Sequence, residues 1–426
     1  MDFICNRSTL SGEVAIPGSK SHAIRAVSIG ALADGESRIE CPLDSADARS
    51  AVHAYRGLGA VIATDEDTWT VTGVGGRIET PEDVIDIGNS GTSLNVALGS
   101  CALLRGGLAV LTGDGQIRRR PSGPLAQSLT DLGARVRSTR GNGCPPFVVQ
   151  GRLRGGETSL EAVSSQYLTS LLINAPLGDG DSRIRVPLLH ERPYVEMTLD
   201  WLRRQGVRLE HDEGLREFHV PGGQGYKSFE RRIPGDFSTA TFFLCAGAIG
   251  GNQITSLGLD MNDTQGDKAV VDYIRQLGAQ VEVEENRITV RPGRLRGCEI
   301  DLNATPDVLP MMAVLACFAE GTTRLVNVPQ ARIKETDRLT VMHRELERLG
   351  ARVEELADGL VVTHSDLCGA DVDGHGDHRI IMALAIAGTM ASGKTRVRGA
   401  DAVDVTFPGF IEAMTGLGAE MWSVYE

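Results

Sequence analysis

The 426-residue sequence lacks most of the features that announce metal, membrane or nucleic-acid chemistry. Its eight cysteines, at 5, 41, 101, 144, 245, 298, 317 and 368, form no Cys-x-x-Cys pair. That argues against structural zinc and thioredoxin-like redox motifs, and points to reduced thiols. No apolar run reaches the ~18 residues of a membrane span. The opening Met1-Asp2-Phe3-Ile4-Cys5-Asn6-Arg7 has no signal-peptide pattern, so the expectation is a soluble, cytoplasmic protein. Positive charge is in deficit: 43 Lys and Arg stand against 56 Asp and Glu, a net charge of −13. This disfavours a general nucleic-acid binder, which must neutralise phosphates, but leaves room for a local cationic pocket. No Ser-His-Asp order, metal-ligand helix or phosphate-loop lysine motif is present. His378 has only His375 at metal spacing, so no metal site is expected.

What the chain does have is a recurring phrase. Gly59, Gly133, Gly206, Gly278, Gly350 and Gly418 each sit in Leu-Gly-Ala or a close variant, at successive gaps of 74, 73, 72, 72 and 68 residues. Each ends a helical pattern, and Val-rich extended sequence follows. A period this long is a folded unit rather than a solenoid turn, so the chain reads as six copies of one α/β module.

The first copy gives the module's order. Glu13-Val14-Ala15-Ile16 reads as a strand broken by Pro17-Gly18. Lys20 opens a helix with Ile24, Val27 and Ala31 at helical spacing. Ser37 to Glu40 is a short strand, Ser45 to Leu58 a second helix, and residues 61–63 and 68–71 form a hairpin. The order is βαβαββ, and three such modules can close around their own helices. The expected fold class is therefore α/β, with three repeats in each of two domains.

The first-helix starts carry the chemistry. They read Gly18-Ser19-Lys20-Ser21, Gly88-Asn89-Ser90-Gly91, Ser164-Ser165-Gln166, Gly235-Asp236-Phe237-Ser238, Thr305-Pro306-Asp307 and Gly376-Asp377-His378-Arg379. For one copy this is ordinary capping. Six equivalent termini, each with free N–H groups and partial positive charge, make an anion site if they gather. Cations stand near them: Lys20 and Arg25, Arg118 to Arg120, Arg192, Lys334 with Arg338, and Arg379. Arginine suits bidentate capture of carboxylate and phosphate. Asp307 and Glu335 lie among these cations, where carboxylates can move protons or simply brace the arginines.

Taken together, PGSKSHAIRA (17–26), GNSGTS (88–93), RRPSGPL (119–125), SSQYLTSLLINAPL (164–177), IPGDFSTATFF (233–243), TPD (305–307), RIKETDRL (332–339) and GDHRIIMA (376–383) span all six modules. They resemble the 5-enolpyruvylshikimate-3-phosphate synthase family of enolpyruvyl transferases. The resemblance implies a two-domain inside-out α/β barrel. Domain 1 is expected to comprise 1–14 and 231–426, domain 2 15–230, with the active site in the cleft between them. It implies transfer of the enolpyruvyl group of phosphoenolpyruvate to the 5-hydroxyl of shikimate 3-phosphate by addition and elimination. No metal or organic cofactor and no partner beyond the small-molecule substrates is implied, and the chain is expected to be a monomer. Lys20, Gly91, Arg120, Gln166, Arg338 and Arg379 match the phosphoenolpyruvate positions. Ser21, Arg25, Ser164, Ser165, Gln166, Asp307 and Lys334 match the shikimate-phosphate positions, and Arg192 is expected to take the phosphate. Glu335 is the implied proton donor to C3, Asp307 the acceptor of the hydroxyl proton, and Lys20 a third candidate for either step. Asn89, Asp236, Asp377 and His378 are expected to support the cleft. Gly91 leaves room beside phosphoenolpyruvate, so competitive inhibition by glyphosate is expected.

Three positions depart from the family pattern: Asn95, where most relatives have arginine, Glu191 and Val405. Asn95 is expected to leave Asp236 less compensated, and Glu191 is an odd neighbour for a dianion. They keep open a paralogue with another hydroxyl acceptor. A transferase acting on UDP-N-acetylglucosamine is disfavoured by Gly115-Gln116, where that enzyme has a loop cysteine, and by Ser21 after Lys20.

Overall fold

The structure, a computed structural model, describes residues 1–425. Two kinds of helix organise it. The first helix of each repeat is apolar nearly all round and therefore needs neighbours all round. Every residue of Phe237–Gly247 is buried, as is every residue of Leu309–Ala316. Lys20–Leu32, Gly91–Cys101, Ser165–Asn174 and His378–Met390 are nearly as enclosed. The second helices, such as Ala46–Gly57, Arg192–Arg204 and Arg338–Arg348, bury one face only. The six recurring glycines follow these outer helices, all with φ between 72° and 109°. That left-handed conformation ends a helix and suits glycine, which explains why the phrase repeats.

The chain divides into two compact units: Gly18–Ile233, and Met1–Pro17 together with the chain from Pro234 onward. Each has its own hydrophobic core and three four-stranded sheets of one pattern. A leading strand runs parallel to the strand after the first helix, and the closing hairpin adds two antiparallel strands. In the Gly18–Ile233 unit the leading strands are Glu230–Arg232, Ile85–Asp86 and Gly156–Ala162, beside Glu36–Glu40, Leu108–Thr112 and Ser182–Leu189. In the other unit they are Ser11–Ala15, Glu299–Asp301 and Asp371–Asp373, beside Gln253–Leu257, Thr322–Val326 and Thr395–Arg398.

The reading of residues 13–16 as the first copy's own leading strand is corrected here. The first-copy strand does not lead the first sheet: Ser11–Ala15 pairs with Gln253–Leu257 and leads the fourth, while Glu230–Arg232 leads the first. A leading strand offers mainly a backbone edge, so alternation of side chains cannot say which sheet it joins. Asp2–Cys5 likewise completes the sixth sheet, antiparallel to both Thr395–Arg398 and Met421–Val424. The sixth repeat is thus closed by the chain's own start. Among the described residues no helix is long and apolar enough to cross a membrane.

Candidate functional site

Within the Gly18–Ile233 unit, the first turns of the buried helices are linked by side chains. Lys20, the first residue of its helix, places Nζ 3.0 Å from Asp47 Oδ2. Arg25 lies one turn further on, and among the described residues its guanidinium donates only to neutral oxygens. Nη1 donates to Ser21 O at 2.9 Å, Nε to Thr198 Oγ1 at 3.0 Å, and Nη2 to Tyr194 O at 2.9 Å and Thr169 Oγ1 at 3.3 Å. Burial pulls the Arg25 pKa down to about 10, leaving a full positive charge at neutral pH. Gly91 opens the next helix. A Cβ there would stand 2.7 Å from Arg120 Nη1 and 3.4 Å from Gln166 Oε1, so the missing side chain is what lets Arg120 approach. Gln166 donates to Thr92 Oγ1 at 3.1 Å and accepts from Asn95 Nδ2 at 2.8 Å. Asn89 donates to Asp114 Oδ2 at 2.6 Å and Gln116 Oε1 at 2.7 Å, fixing the loop that leads to Arg120. Ser164 caps the third helix by accepting from Gln166 N. The Ser165 amide and hydroxyl both donate to Glu191 Oε2, at 3.1 and 2.6 Å.

The second group lies wholly within the other unit and centres on Arg338, which is 1% exposed. Its Nε donates to Asp377 Oδ2 at 2.8 Å, Nη1 to Asp307 Oδ1 at 2.8 Å, and Nη2 to Glu335 Oε2 at 2.6 Å and Asp377 Oδ1 at 3.2 Å. Burial opposes the guanidinium charge, but Asp377, Glu335 and Asp307 more than offset it and hold the pKa far above its ordinary value. Asp307 is shared: Arg379 Nη2 is 3.3 Å from Oδ2 and Lys334 Nζ 3.9 Å from Oδ1. Asp377 also caps its helix, accepting from Arg379 N at 3.0 Å. His378 follows it, buried in the first turn. For Arg379, burial lowers the pKa, yet the fields of Asp307, Asp236 and Asp267 raise it on balance. Asp236 therefore has a compensating cation in Arg379, and it accepts from Thr239 Oγ1 at 2.9 Å. The geometry brings two carboxylates, Asp307 and Glu335, onto one guanidinium, with two more cations on the first.

Comparison with known proteins fits this arrangement. The profile of the EPSP synthase (3-phosphoshikimate 1-carboxyvinyltransferase) family matches residues 4–414. The chain belongs to the EPSP synthase family. It is 49% identical over 415 residues to the 3-phosphoshikimate 1-carboxyvinyltransferase of Ruminiclostridium cellulolyticum, covering 97% of this chain and 98% of that one. The corresponding protein of Acetivibrio thermocellus is 50% identical over 415 residues, with the same coverage, and that of Methanocella arvoryzae 43% over 420 residues, covering 98% of each. Among solved structures, EPSP synthase from Acinetobacter baumannii superposes with a TM-score of 0.82 at 26% identity, covering 99% of this chain and 100% of that one. The fold is thus the family's two-domain inside-out α/β barrel of six repeats.

Against that family background, the departures acquire partners. Asn95 is buried and sits at the centre of a small network: besides Gln166, it donates to Gly91 O at 2.9 Å and accepts from Ser122 Oγ at 2.8 Å. Arg192 is not brought to Ser164 and Ser165. Half-exposed, it donates to Glu196 Oε1 and Glu213 O, both at 2.8 Å. The residue before it, Glu191, has a left-handed backbone, φ 56° and ψ 41°, and its carboxylate is the group turned onto Ser165. Val405 ends the 3-10 segment Ala400–Val405. Residues that the sequence alone did not single out include Asp47, Thr169 and Thr198. Gln265 and Asp267 join them: Gln265 Oε1 accepts from Phe237 N at 2.9 Å, and Asp267 accepts from the Ser238 hydroxyl. A signal that could have found Asp47 is its place in the first turn after Ser45, where an acidic residue marks a helix start.

Proposed function

We propose that the two groups of residues serve a single reaction, in which the chain transfers the enolpyruvyl group of phosphoenolpyruvate to the 5-hydroxyl of shikimate 3-phosphate. Lys20, Gly91, Arg120, Gln166, Arg338 and Arg379 hold phosphoenolpyruvate. Ser21, Arg25, Ser164, Ser165, Gln166, Asp307 and Lys334 hold the acceptor. The hydroxyl oxygen bonds to C2 of phosphoenolpyruvate as Asp307 takes the hydroxyl proton and Glu335 protonates C3. The tetrahedral adduct then loses a C3 proton and breaks its C2–O bond to phosphate, leaving the enol ether. Only proton transfers and fixed charge are required, with no metal or organic cofactor. Both substrates are anions, and preorganised donors stabilise the charge that develops. The reaction is carried out by a monomer in the cytoplasm.

The observation that supports the reading most is the shared guanidinium. Asp307 and Glu335, the two groups that must exchange protons, are both within hydrogen-bond distance of Arg338. The test is phosphate release from phosphoenolpyruvate with shikimate 3-phosphate, then with shikimate and with UDP-N-acetylglucosamine. Release with shikimate 3-phosphate alone is the expected result. Folded protein that releases none with it defeats the reading.

A further inference from the structure

From the contact between Glu191 and Ser165 we infer that Glu191 is a built-in occupant of the acceptor-phosphate seat, and that the acceptor must displace it to bind. The inference rests on the proposed assignment of Ser164 and Ser165 to the acceptor, and takes the acceptor's phosphate as the group that meets them. Three observations carry it. First, the Glu191 carboxylate takes both donors of Ser165, the amide at 3.1 Å and the hydroxyl at 2.6 Å, at the start of helix Ser165–Asn174. These are the groups a phosphate oxygen would use, and a carboxylate oxygen is a chemical likeness of one. Second, Glu191 adopts φ 56°, a left-handed conformation that a side-chain-bearing residue takes only when its surroundings impose it. Such outliers gather where structure serves function. Third, the seat is the right place for an anion. Arg25 bridges helices Lys20–Leu32, Ser165–Asn174 and Arg192–Arg204 through Ser21, Thr169 and Tyr194, and among the described residues its hydrogen-bond partners are neutral oxygens. Glu191 O in turn accepts from Tyr194 N at 3.0 Å, so the carboxylate and the Arg25 network share one helix start.

A dianionic phosphate and an ionised carboxylate cannot both sit on Ser165. Binding of the acceptor then carries the loss of the Glu191 contact. Glu191 is accordingly a specificity-determining residue that weakens acceptor binding and leaves phosphoenolpyruvate untouched. The test compares the wild type with Glu191→Gln, which removes the charge but keeps the shape, and Glu191→Gly, which empties the position and relieves the backbone. Binding of shikimate 3-phosphate is measured by calorimetry, and KM for each substrate by phosphate release. Affinity for shikimate 3-phosphate should rise in the order wild type, Gln, Gly, by about tenfold in total, the scale of a displaced charge-assisted hydrogen bond. KM for phosphoenolpyruvate should stay within about twofold, a split that a purely structural role does not produce. Turnover in the wild type with unchanged or weaker acceptor binding in both variants overturns this inference alone. No turnover of shikimate 3-phosphate by the wild type overturns the underlying assignment and this inference with it.

Discussion

Gly91→Ala separates stability from function. The residue opens helix Gly91–Cys101 without a left-handed φ, so alanine fits the backbone and, as the better helix former, should leave stability unchanged or slightly higher. Its Cβ, however, stands 2.7 Å from Arg120 Nη1. Ordinary contacts to carbon begin near 3.5 Å, so the guanidinium must retreat by roughly 0.8 Å. The 3.4 Å approach to Gln166 Oε1 leaves little room on that side, because Gln166 is held by Asn95 and Thr92. Misplacing a positioning group by ~1 Å can cost ~100-fold in rate. The expected loss is therefore about 10- to 100-fold in kcat/KM for phosphoenolpyruvate, or ~1.4–2.7 kcal/mol, expressed mainly in KM. The assay is phosphate release with phosphoenolpyruvate varied at saturating shikimate 3-phosphate, alongside a thermal melt. Glyphosate should inhibit the wild type competitively with phosphoenolpyruvate and the variant more weakly, since both ligands meet the same displaced Arg120. Unchanged kcat/KM in a variant that melts like wild type refutes the reasoning. So does a loss of activity that merely tracks a fall in Tm.

Glu335→Gln keeps an acceptor for Arg338 but has no acidic proton. Turnover should fall by about 10²–10⁴-fold with substrate affinity within a few-fold, and a wild-type rate removes Glu335 from the chemistry. Arg338→Met strips the cation from three carboxylates, one of them, Asp377, fully buried. Urea unfolding should show a loss of about 3–5 kcal/mol, and a loss below ~1 kcal/mol contradicts the charge network described above. Asp200 accepts from Arg203 at 2.5 Å and Arg204 at 2.7 Å. Burial raises its pKa, but these bonds and nearby Arg231 hold it below the ordinary value. A depressed pKa adds stability above the unfolded value of about 3.9, and that stability is lost as pH falls through the folded value. The advantage of wild type over Asp200→Asn, roughly 1 kcal/mol at pH 7, should therefore shrink between about pH 5 and pH 2. A difference that grows toward acid has the wrong sign.

How far the sequence carries depends on what kind of physics fixes each feature. The recurring glycines reveal the repeat because each marks a local event, the left-handed close of an outer helix. That the first helices are buried all round went unread, although Phe237–Gly247 carries no charged residue on any face. Strand partnership was not legible, since Ser11–Ala15 and Glu230–Arg232 offer equivalent edges and only the tertiary arrangement decides which sheet each joins. The site divides the same way. Small polar residues before apolar helices identified Ser164, Asp236 and Asp377 as helix starts. Which cation meets which carboxylate was not readable. Asp377 looks like a cap and is one, yet it also grips Arg338, 39 positions earlier. The family resemblance suited Arg192 to the phosphate. Its side chain instead pairs with Glu196 one turn along the same helix, and the left-handed conformation of Glu191 beside it is invisible in residue type.

The two groups also differ in charge, which the formal net charge conceals. Around Arg338, the cations Lys334, Arg338 and Arg379 are met by Asp307, Glu335 and Asp377, so the positive charge is balanced within the cluster. Arg25 has no ion-pair partner among the described residues, and its burial must cost stability that neutral oxygens do not fully return. Its acceptors have other partners: Thr169 and Thr198 hydroxyls are 3.0 Å apart, and Thr198 Oγ1 donates to Tyr194 O at 3.0 Å. Replacing Arg25 by a flexible apolar side chain thus orphans little. Arg25→Met should melt at or above the wild-type temperature while raising KM for shikimate 3-phosphate at least about tenfold, the trade expected where a strained charge is kept for function. Thermal melts and acceptor-dependent kinetics on the same preparation decide it. A variant that loses stability and acceptor affinity together would make Arg25 a structural tie between helices. One that gains stability and loses affinity identifies a charge the fold tolerates only because a substrate anion completes it.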